Sequence, residues 1–234
     1  MRQMIECSNC TSSNCFLKKF CKGENLSIIS ALKNQNIYKK GDAIFREGNT
    51  MQGIHFIMRG GIKVVTTNIN GREQVVRLAS DGDILGHRVL GNDKYYFNAI
   101  AMMETIVCFI ETNVFREACM NNPEFAYNLI LFYALELRRT ELRVKYHAQM
   151  NIREKVAEAF DYLNEIFGID PKSKTLNIEL SRREIADIAG TTPEQVTRQL
   201  SDFESEKLIY RTKRDIQILN KKGIENIVRD YKIE

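Results

Sequence analysis

Residues 180–204 have the sequence LSRREIADIAGTTPEQVTRQLSDFE, in which two helix starts follow each other closely. In the first, Ser181 is followed three residues later by Glu184, and in the second Thr192 is followed by Gln195. This spacing is that of a capping box, in which both side chains satisfy backbone N–H groups at the start of a helix. One helix is therefore expected to begin after Ser181 and another after Thr192.

A glycine and a proline support the same arrangement. Gly190 lies between the predicted helices and can supply a tight turn, and Pro193 occupies the first position of the second helix, where an N–H is not needed. Val196, Leu200 and Phe203 then fall on one face of that helix. Two short helices joined by a glycine-containing turn form a helix-turn-helix.

The outer face of the second helix is expected to contact DNA, because the first turns of such a helix meet base edges in the major groove. The residues on or near this face are Glu194, Gln195, Thr197, Arg198 and Ser201. Arg198 can donate two hydrogen bonds to guanine, and Glu194 can accept one from cytosine. The alternative is an ordinary helical hairpin in which Glu194 and Arg198 form a surface ion pair.

The segment after the second helix, LIYRTKRDIQIL at 208–219, predicts two short strands around a charged turn. Such a hairpin would be the wing of a winged helix-turn-helix, with Lys213 contacting phosphate. Residues 171–222 contain 11 Lys and Arg against 8 Asp and Glu, and the whole chain has a net charge of +4. This mildly basic balance permits nucleic-acid binding but does not demonstrate it.

The chain between 37 and 110 has a different pattern, with short β-branched and apolar runs separated by turns. Asn70-Gly71 lies between two such runs and is a strong signal for a β-hairpin. Many short strands at regular spacing indicate a β-sandwich or barrel.

A long helix is predicted over 124–146, with Leu129, Phe132 and Leu135 recurring at helical spacing. Its apolar side is wider than one stripe. The helix is either a core helix of its own domain or one that also packs on a partner chain, and its length without a cap favours the second. Leu129, Phe132 and Leu135 are then expected to need cover from that partner.

The predicted fold class is α+β, and the helix and strand patterns divide the chain into four segments. It comprises a cysteine-rich segment at 1–22, a β-sandwich sensor domain at 23–122, a dimerisation helix at 123–150 and a winged helix-turn-helix domain at 151–234. Helix caps mark two of the boundaries, with Asn122 before Pro123 and Asn151 before the next helix.

Cysteine usage bounds the chemistry of the N-terminal segment, where Cys7, Cys10, Cys15 and Cys21 are four of the chain's six cysteines. No run approaches the roughly 20 apolar residues of a membrane span, and no apolar signal core follows the N-terminus. A cytoplasmic location without membrane contact is therefore expected, and disulfides are the weakest interpretation there. Four thiolates suit an iron–sulfur cluster or zinc equally on ligand count.

A β-sandwich, a long helix and a winged helix-turn-helix in this order resemble the catabolite activator/FNR (Crp/Fnr) family of bacterial transcription regulators, with FNR as the nearer branch. The resemblance covers nearly the whole chain and is carried by YKKGDAIFREGN, GDILG, FREACMNNPE and the segment at 180–204. It implies a cyclic-nucleotide-binding-type β-sandwich (a double-stranded β-helix), a homodimer and a palindromic double-stranded DNA site at a promoter. It also implies contact with RNA polymerase. No catalytic triad, metal-hydrolase motif or phosphate loop occurs, so an enzyme is not expected and no catalytic residue is assigned.

The cyclic-nucleotide branch of the family implies a Gly-Glu pair for ribose and an Arg-Ser pair for the cyclic phosphate. Here His87 follows Gly86, and Phe97 and Asn98 replace the second pair. Loss of a buried charge-assisted contact costs on the order of 2–5 kcal/mol, so cyclic AMP is not expected to bind. An alternative function is a regulator whose pocket, lined by Gly86, His87, Arg88, Phe97 and Asn98, takes another small molecule or a haem-bound gas.

The FNR branch implies a [4Fe–4S] cluster held by three N-terminal cysteines and one distant cysteine on a strand. Cys108 lies where the distant ligand is expected, and the spacing from Cys15 to Cys21 matches the family. The expected ligands are Cys10, Cys15, Cys21 and Cys108, with Cys7 as a substitute because the upstream spacing departs from the family. Zinc bound by the four N-terminal thiols, or a metal-free redox arm, remain alternatives.

FNR-like proteins recognise a TTGA-type half-site with Glu, Ser and Arg at positions that correspond here to Glu194, Thr197 and Arg198. The arginine that precedes the Glu in the cyclic-AMP branch is replaced by Pro193. The resemblance therefore implies a palindrome of TTGA-like half-sites. Together these features predict a regulator that senses a redox or oxygen-type signal.

Overall fold

The computed structural model of the protein describes residues 4–91, 93–212 and 215–231. They form two compact units. The first contains the described residues of Met1–Thr66 and Arg77–Leu135, and the second those of Thr67–Val76 and Glu136–Glu234. Among the described residues, no helix is both long and apolar enough to cross a membrane. The bounds of the four segments expected from the sequence stay predictions.

The sandwich consists of two four-stranded sheets, with strand orders β1-β8-β3-β6 and β2-β7-β4-β5. The strands are β1 (Asn34–Tyr38), β2 (Ala43–Phe45), β3 (Gly53–Arg59), β4 (Gly61–Thr67), β5 (Glu73–Ser80), β6 (Ile84–Leu85), β7 (Asn98–Ala101) and β8 (Thr105–Glu111). The predicted β-sandwich is thereby confirmed. Gly71 lies in the loop between β4 and β5 with a φ of 72°, as the Asn70-Gly71 hairpin signal predicted.

Strand β3 has buried side chains on both of its faces. Its first five residues are all buried, and successive side chains of a strand point to opposite sides. Ile54 and Phe56 belong to the core beneath the helices of the first unit. His55 points the other way, and its ring centroid lies 5.5 Å from that of Phe45 on the second sheet.

Four helices begin in the first unit: α1 (Phe16–Phe20), α2 (Gly23–Leu32), α3 (Thr112–Met120) and α4 (Pro123–Gln149). Helix α4 begins where the sequence predicted, and the Asn122 side chain accepts a hydrogen bond from the Phe125 N–H at 3.0 Å. Leu129 is buried, and Phe132 packs against the same core. The expectation that Leu129 needs a partner's cover is wrong, because it is buried within the unit, whereas Phe132 is half-buried against Phe16 of α1 and Leu135 remains exposed.

The second unit contains α5 (Ile152–Phe167), α6 (Arg182–Ala189), α7 (Pro193–Ser205), β9 (Ile209–Arg211), β10 (Ile216–Ile218) and α8 (Lys221–Ile227). Both predicted capping boxes are present, as is a third at Asn151 and Glu154. Gly190 has a left-handed φ of 62° in the turn between α6 and α7. Strands β9 and β10 pair antiparallel as the predicted wing, while Lys213 lies outside the described residues.

Candidate DNA interface and thiol site

The exposed side of α7 carries the residues expected to contact DNA. The inner face of α7 is buried in the second unit through Val196, Leu200 and Phe203. The opposite face of the helix therefore points to solvent. Glu194, Arg198 and Ser201 are exposed there, and Thr197 and Gln195 are half-buried beside them. An exposed arginine and carboxylate on the first two turns can hydrogen-bond base edges.

Three of these polar side chains also have partners within the unit. The Thr197 hydroxyl donates to the Pro193 carbonyl at 2.8 Å, and the Ser201 hydroxyl donates to the Thr197 carbonyl at 3.1 Å. Gln195 accepts hydrogen bonds in the helix cap from the Thr192 N–H and the Thr191 hydroxyl. A hydroxyl keeps acceptor capacity after donating once, so Thr197 and Ser201 can still bond to DNA.

Arg211 on β9 connects the wing to α7. Its Nε lies 2.6 Å from a carboxylate oxygen of Glu204, and its Nη2 donates to the Ser201 hydroxyl at 3.2 Å. The backbone N–H of Arg211 bonds the same Glu204 carboxylate at 3.2 Å. These contacts hold β9, the first strand of the wing, against α7.

Glu194 is the first acidic residue of α7, and the start of the helix stabilises its charged form. The backbone N–H of Glu194 and the Thr192 side chain lower the pKa of this carboxyl. Negative charge is favoured at a helix N-terminus because the N–H groups there are unpaired and the helix dipole is positive. Glu194 is therefore ionised over the whole neutral range.

A cavity in the first unit brings together four of the six cysteines. Its lining includes Cys7, Cys10, Cys15 and Cys108 together with the side chain of Lys33. All four cysteines are free thiols. The N-terminal segment and strand β8, about a hundred residues apart in the sequence, therefore meet at one site, as the predicted pairing of these segments requires.

The segment between Cys7 and Cys15 is fixed by contacts at both ends. The Cys7 N–H donates to the Ser30 hydroxyl of α2 at 2.9 Å. At the other end the Phe16 N–H donates to the Gly82 carbonyl at 3.3 Å. Gly82 has a φ of 91°, and a Cβ there would lie 2.5 Å from the Asn14 carbonyl carbon. The thiol segment thus packs directly on the turn between β5 and β6.

Three side chains that the sequence reasoning missed donate hydrogen bonds around this cavity. Lys33 Nζ lies 3.1 Å from Cys7 Sγ, and Gln35 Nε2 lies 3.4 Å from Cys108 Sγ. Lys18 Nζ donates to the Cys10 carbonyl at 2.6 Å. Nothing in the sequence next to Lys33 marks it as a donor to sulfur. Gln35 can be recognised as a donor only from the strand pairing, which places it opposite Cys108 across β1 and β8.

Burial dominates the acid–base chemistry of Cys15 and Cys108. It raises the pKa of Cys15, and the neighbouring Cys7 and Cys10 raise it further. Burial likewise raises the pKa of Cys108, against which the Gln35 side chain and the Lys33 charge act in the opposite direction. Such thiols stay protonated at neutral pH unless a bound cation or cluster stabilises their thiolates.

Cys21 and Cys119 lie apart from the cavity lining. Cys21 is fully buried in the apolar core that also contains Leu17 and Ile29, and burial raises its pKa to about 11. Cys119 on α3 packs against the same core, and burial and then Cys21 raise its pKa to about 11. The structure therefore brings together three of the predicted ligands and the substitute Cys7, whereas Cys21 does not line their cavity.

The cysteines around the cavity can be compared with the ligands that zinc and an iron–sulfur cluster require. In the part of the chain that the structure describes, no three His, Cys, Asp or Glu side chains are close enough to hold one metal ion. Zinc requires four donors about 2.3 Å from a single point, which this arrangement does not provide. An iron–sulfur cluster is a larger body held by four surrounding thiolates, and Cys7, Cys10, Cys15 and Cys108 place four free thiols around one cavity.

The residues proposed for a small-molecule pocket have contacts within the protein. His87 is buried, and its ring lies 5.2 Å from that of Phe132 and 5.3 Å from that of Tyr133 on α4. Burial, with Arg77 and Arg88 nearby, lowers the pKa of His87 to about 2. The imidazole is therefore neutral and packs against the long helix.

The other residues of that predicted pocket follow the end of β6 or stand at the start of β7. Gly86 precedes the turn that follows β6, with a φ of 81°, and Arg88 is exposed in that turn. Phe97 comes just before β7, and Asn98 begins that strand. The Asn98 side-chain oxygen accepts from the Glu47 N–H at 3.1 Å. These contacts explain how the residues are used structurally and do not favour any particular ligand.

Two family models match separate parts of the chain. Residues 35–122 match a model described as a cyclic nucleotide-binding domain, and residues 154–227 match a Crp-like helix-turn-helix domain. Together the two matches include more than half of the chain.

Curated proteins and solved structures with the same organisation are similar over most of their length. "Regulatory protein HlyX" of Actinobacillus pleuropneumoniae is 22% identical over 210 residues, which cover 89% of this chain and 88% of that protein. "Probable transcriptional regulator flp" of Lacticaseibacillus casei is 27% identical, covering 90% and 94% respectively. The structure of FixK2 from Bradyrhizobium japonicum has a TM-score of 0.74 at 21% identity, covering 83% of this chain and 96% of that one. This structural similarity establishes the fold.

Proposed function

The chain belongs to the Crp/Fnr family of DNA-binding transcription regulators, and from this premise we propose that it senses a redox or oxygen-type signal through its thiol site. The matched proteins are regulators rather than enzymes, and regulators with a Crp-like helix-turn-helix bind DNA and form dimers. The observation that carries the proposal is the single cavity lined by Cys7, Cys10, Cys15 and Cys108.

The proposed ligands of a [4Fe–4S] cluster are these four cysteines. This set keeps three of the ligands expected from the sequence and replaces Cys21 by Cys7. Cys21 is left out because it does not line the cavity, although it belongs to the same buried core as Cys15 and Cys108. When bound, such a cluster supplies reversible electron transfer and sensitivity to oxygen.

The thiol site is in contact with the long helix through α1. Phe16 follows Cys15 directly, and its ring centroid lies 5.7 Å from that of Phe125 and 5.4 Å from that of Phe132 on α4. A change in the position of Cys15 therefore changes the packing of α4. We propose this contact as the route by which occupancy of the site alters the regulator.

The dimer is proposed to form through an exposed apolar stripe on α4. Ile130, Leu137 and Val144 are 64%, 61% and 68% exposed, and they recur every seven residues. That interval is the repeat of a two-stranded coiled coil, in which the recurring positions face the partner helix. The stripe replaces Leu129 as the expected contact, because that side chain is buried within the unit.

DNA recognition is proposed to involve a palindrome of TTGA-like half-sites at a promoter. Glu194 and Arg198 are exposed on adjacent turns of α7, and Thr197 lies between them. Arg198 is assigned to the guanine, Glu194 to the cytosine paired with it, and the Thr197 methyl to a thymine methyl. Gln195 and Ser201 are assigned to flanking contacts, Lys213 to phosphate, and RNA polymerase is the expected protein partner by resemblance to the family.

The test is to purify the protein without oxygen, measure iron and acid-labile sulfide, and record the visible spectrum before and after air exposure. We expect about four irons per chain, a broad visible absorption that air removes, and tight binding to TTGA palindromes only before air exposure. Protein with zinc or no metal, or with DNA binding that air does not change, would contradict the proposed signal. Binding selection from random duplexes tests the site sequence separately.

A further inference from the structure

The junction between α2 and β1, residues 33–35, brings two side-chain N–H donors to the thiol site. Lys33 follows the last residue of α2, and its backbone N–H still bonds the Ile29 carbonyl at 2.9 Å. Gln35 lies on β1 directly opposite Cys108 on β8. The helix end and the strand register fix both backbones, and from them Lys33 lines the cavity while the Gln35 side chain reaches Cys108.

Lys33 is a cation in an interior position. Its side chain lines the cavity beside the apolar Phe56 and Ile57, and the residue is 2% exposed. Its Nζ lies 3.1 Å from Cys7 Sγ. A buried charge is costly unless a negative partner compensates for it, so this lysine is placed where negative charge on the sulfurs is expected.

Gln35 contributes a second, neutral donor. Its Oε1 accepts from the Ile5 N–H at 2.8 Å. This bond fixes the orientation of the amide, since a backbone N–H can pair only with the oxygen. The NH2 group then has three acceptors within reach of Nε2: the Ile5 carbonyl at 3.3 Å, Cys108 Sγ at 3.4 Å and Met58 Sδ at 3.6 Å.

We propose that Lys33 and Gln35 set the reduction potential of the group bound by Cys7, Cys10, Cys15 and Cys108. The inference rests on the proposed function. Hydrogen bonds to ligating sulfurs and nearby positive charge stabilise the more negative, reduced form of a cluster. The two residues are positioning and tuning groups, and they do not ligate the cluster.

The sign of the effect follows from charge. Removing the Lys33 ammonium takes away one positive charge and one N–H donor, so the reduced cluster loses stability relative to the oxidised one and the midpoint potential becomes more negative. Removing the Gln35 donor acts in the same direction by a smaller amount, because the amide carries no net charge.

The experiment is an anaerobic redox titration of the cluster-loaded protein, followed by electron paramagnetic resonance. Lys33→Met, which fits an apolar cavity, should weaken reduction at least tenfold, equal to about 59 mV for one electron. Gln35→Met should shift the potential in the same direction by less, and Lys33→Arg should stay near wild type. Lys22→Met removes an exposed lysine of the same segment and should leave the potential unchanged because solvent screens that charge.

The outcomes separate this inference from the proposal on which it rests. Wild-type protein with no cluster overturns both. A cluster in the wild type whose potential is the same in Lys33→Met and Gln35→Met overturns the inference alone. If Lys33→Met does not retain the cluster, the other two variants decide: a wild-type potential in Gln35→Met, or a potential in Lys33→Arg lowered as far as in Gln35→Met, would overturn it.

Discussion

The outer face of α7 and the thiol site are both functional surfaces, but they are built in opposite ways. On α7, the hydroxyl groups of Thr197 and Ser201 bond carbonyls four residues earlier, and the neighbouring Arg198 is exposed. At the thiol site, the donor to Cys7 is 26 residues away and the donor to Cys108 is 73 residues away. One surface is local and solvated, whereas the other is non-local and buried.

This difference determines how each surface responds to change. A side chain on the exposed face of α7 can be replaced while the helix and its core stay intact, so its effect should appear mainly in DNA affinity. A residue of the thiol site contributes to the packing of the first unit as well as to the site. Changes there should affect occupancy of the site and the structure around it together.

The largest expected effect is loss of the bound cluster in Cys108→Ala. Cys108 is the sole contribution of β8 to the proposed ligand set, and three thiols would remain. We expect iron and sulfide to fall to background in anaerobically purified protein. Cys119→Ala and Cys21→Ala remove thiols outside the cavity and should retain iron. Retention of iron in Cys108→Ala, or its loss in Cys21→Ala but not in Cys7→Ala, would contradict the ligand set.

A smaller but still large effect is expected on assembly in Leu137→Glu. This change places a carboxylate in the middle of the proposed stripe, where two helices would bring two like charges together. Sedimentation should show monomers at concentrations where the wild type is dimeric. Met120→Glu makes a similar exposed substitution on α3, where Met120 is 77% exposed, and should remain dimeric. A folded dimer of Leu137→Glu would show that the contact lies elsewhere.

Arg198→Ala is expected to cost about 1–3 kcal/mol in binding to the selected site. The loss should be specific to the guanine, so a duplex with that base pair changed should bind wild type and variant alike. The unfolding temperature should not change, because Arg198 is exposed. Arg229→Ala, at an exposed arginine of the segment after α8, serves as the control. Equal weakening on every duplex would mean that Arg198 contacts phosphate.

The smallest expected effect is a pH-dependent contribution of Glu194 to stability. Its pKa is lowered in the folded protein, so its contribution is present above the unfolded-state pKa and is lost as the pH falls through the folded-state value. Glu194→Gln should lower the unfolding temperature slightly at neutral pH, and the difference should vanish in acid. A difference that is the same at both pH values would contradict the stabilising role of its charge.

The same contrast explains what could be predicted from the sequence. The capping boxes at Ser181 and Thr192 and the turn at Gly190 depend on residues within four positions of each other, and all are confirmed. The α4 periodicity correctly indicated a long helix. It could not show that Phe16 of α1 packs against Phe132, because that contact depends on a segment more than a hundred residues away.

The thiol site illustrates the limit more sharply. The meeting of Cys108 with the N-terminal cysteines followed from a resemblance, yet nothing near Lys33 or Gln35 in the sequence marks them as donors to sulfur. Their role depends on the register in which Gln35 opposes Cys108 and on the path of the chain from Cys7 to Cys15. Whether Cys7 or Cys21 belongs to the set depends on that same path.

Gly82 makes the thiol segment unusually sensitive to one position that bears no thiol. Because its φ is positive and an added Cβ would overlap the Asn14 backbone, any other residue there must displace the chain just before Cys15. In a saturation mutagenesis screen, position 82 should therefore tolerate almost no substitution when cells are selected for the response to the signal. The same substitutions should also lower stable expression, because the displaced segment packs on the turn between β5 and β6, so signalling and folding would share one mutational tolerance at this position.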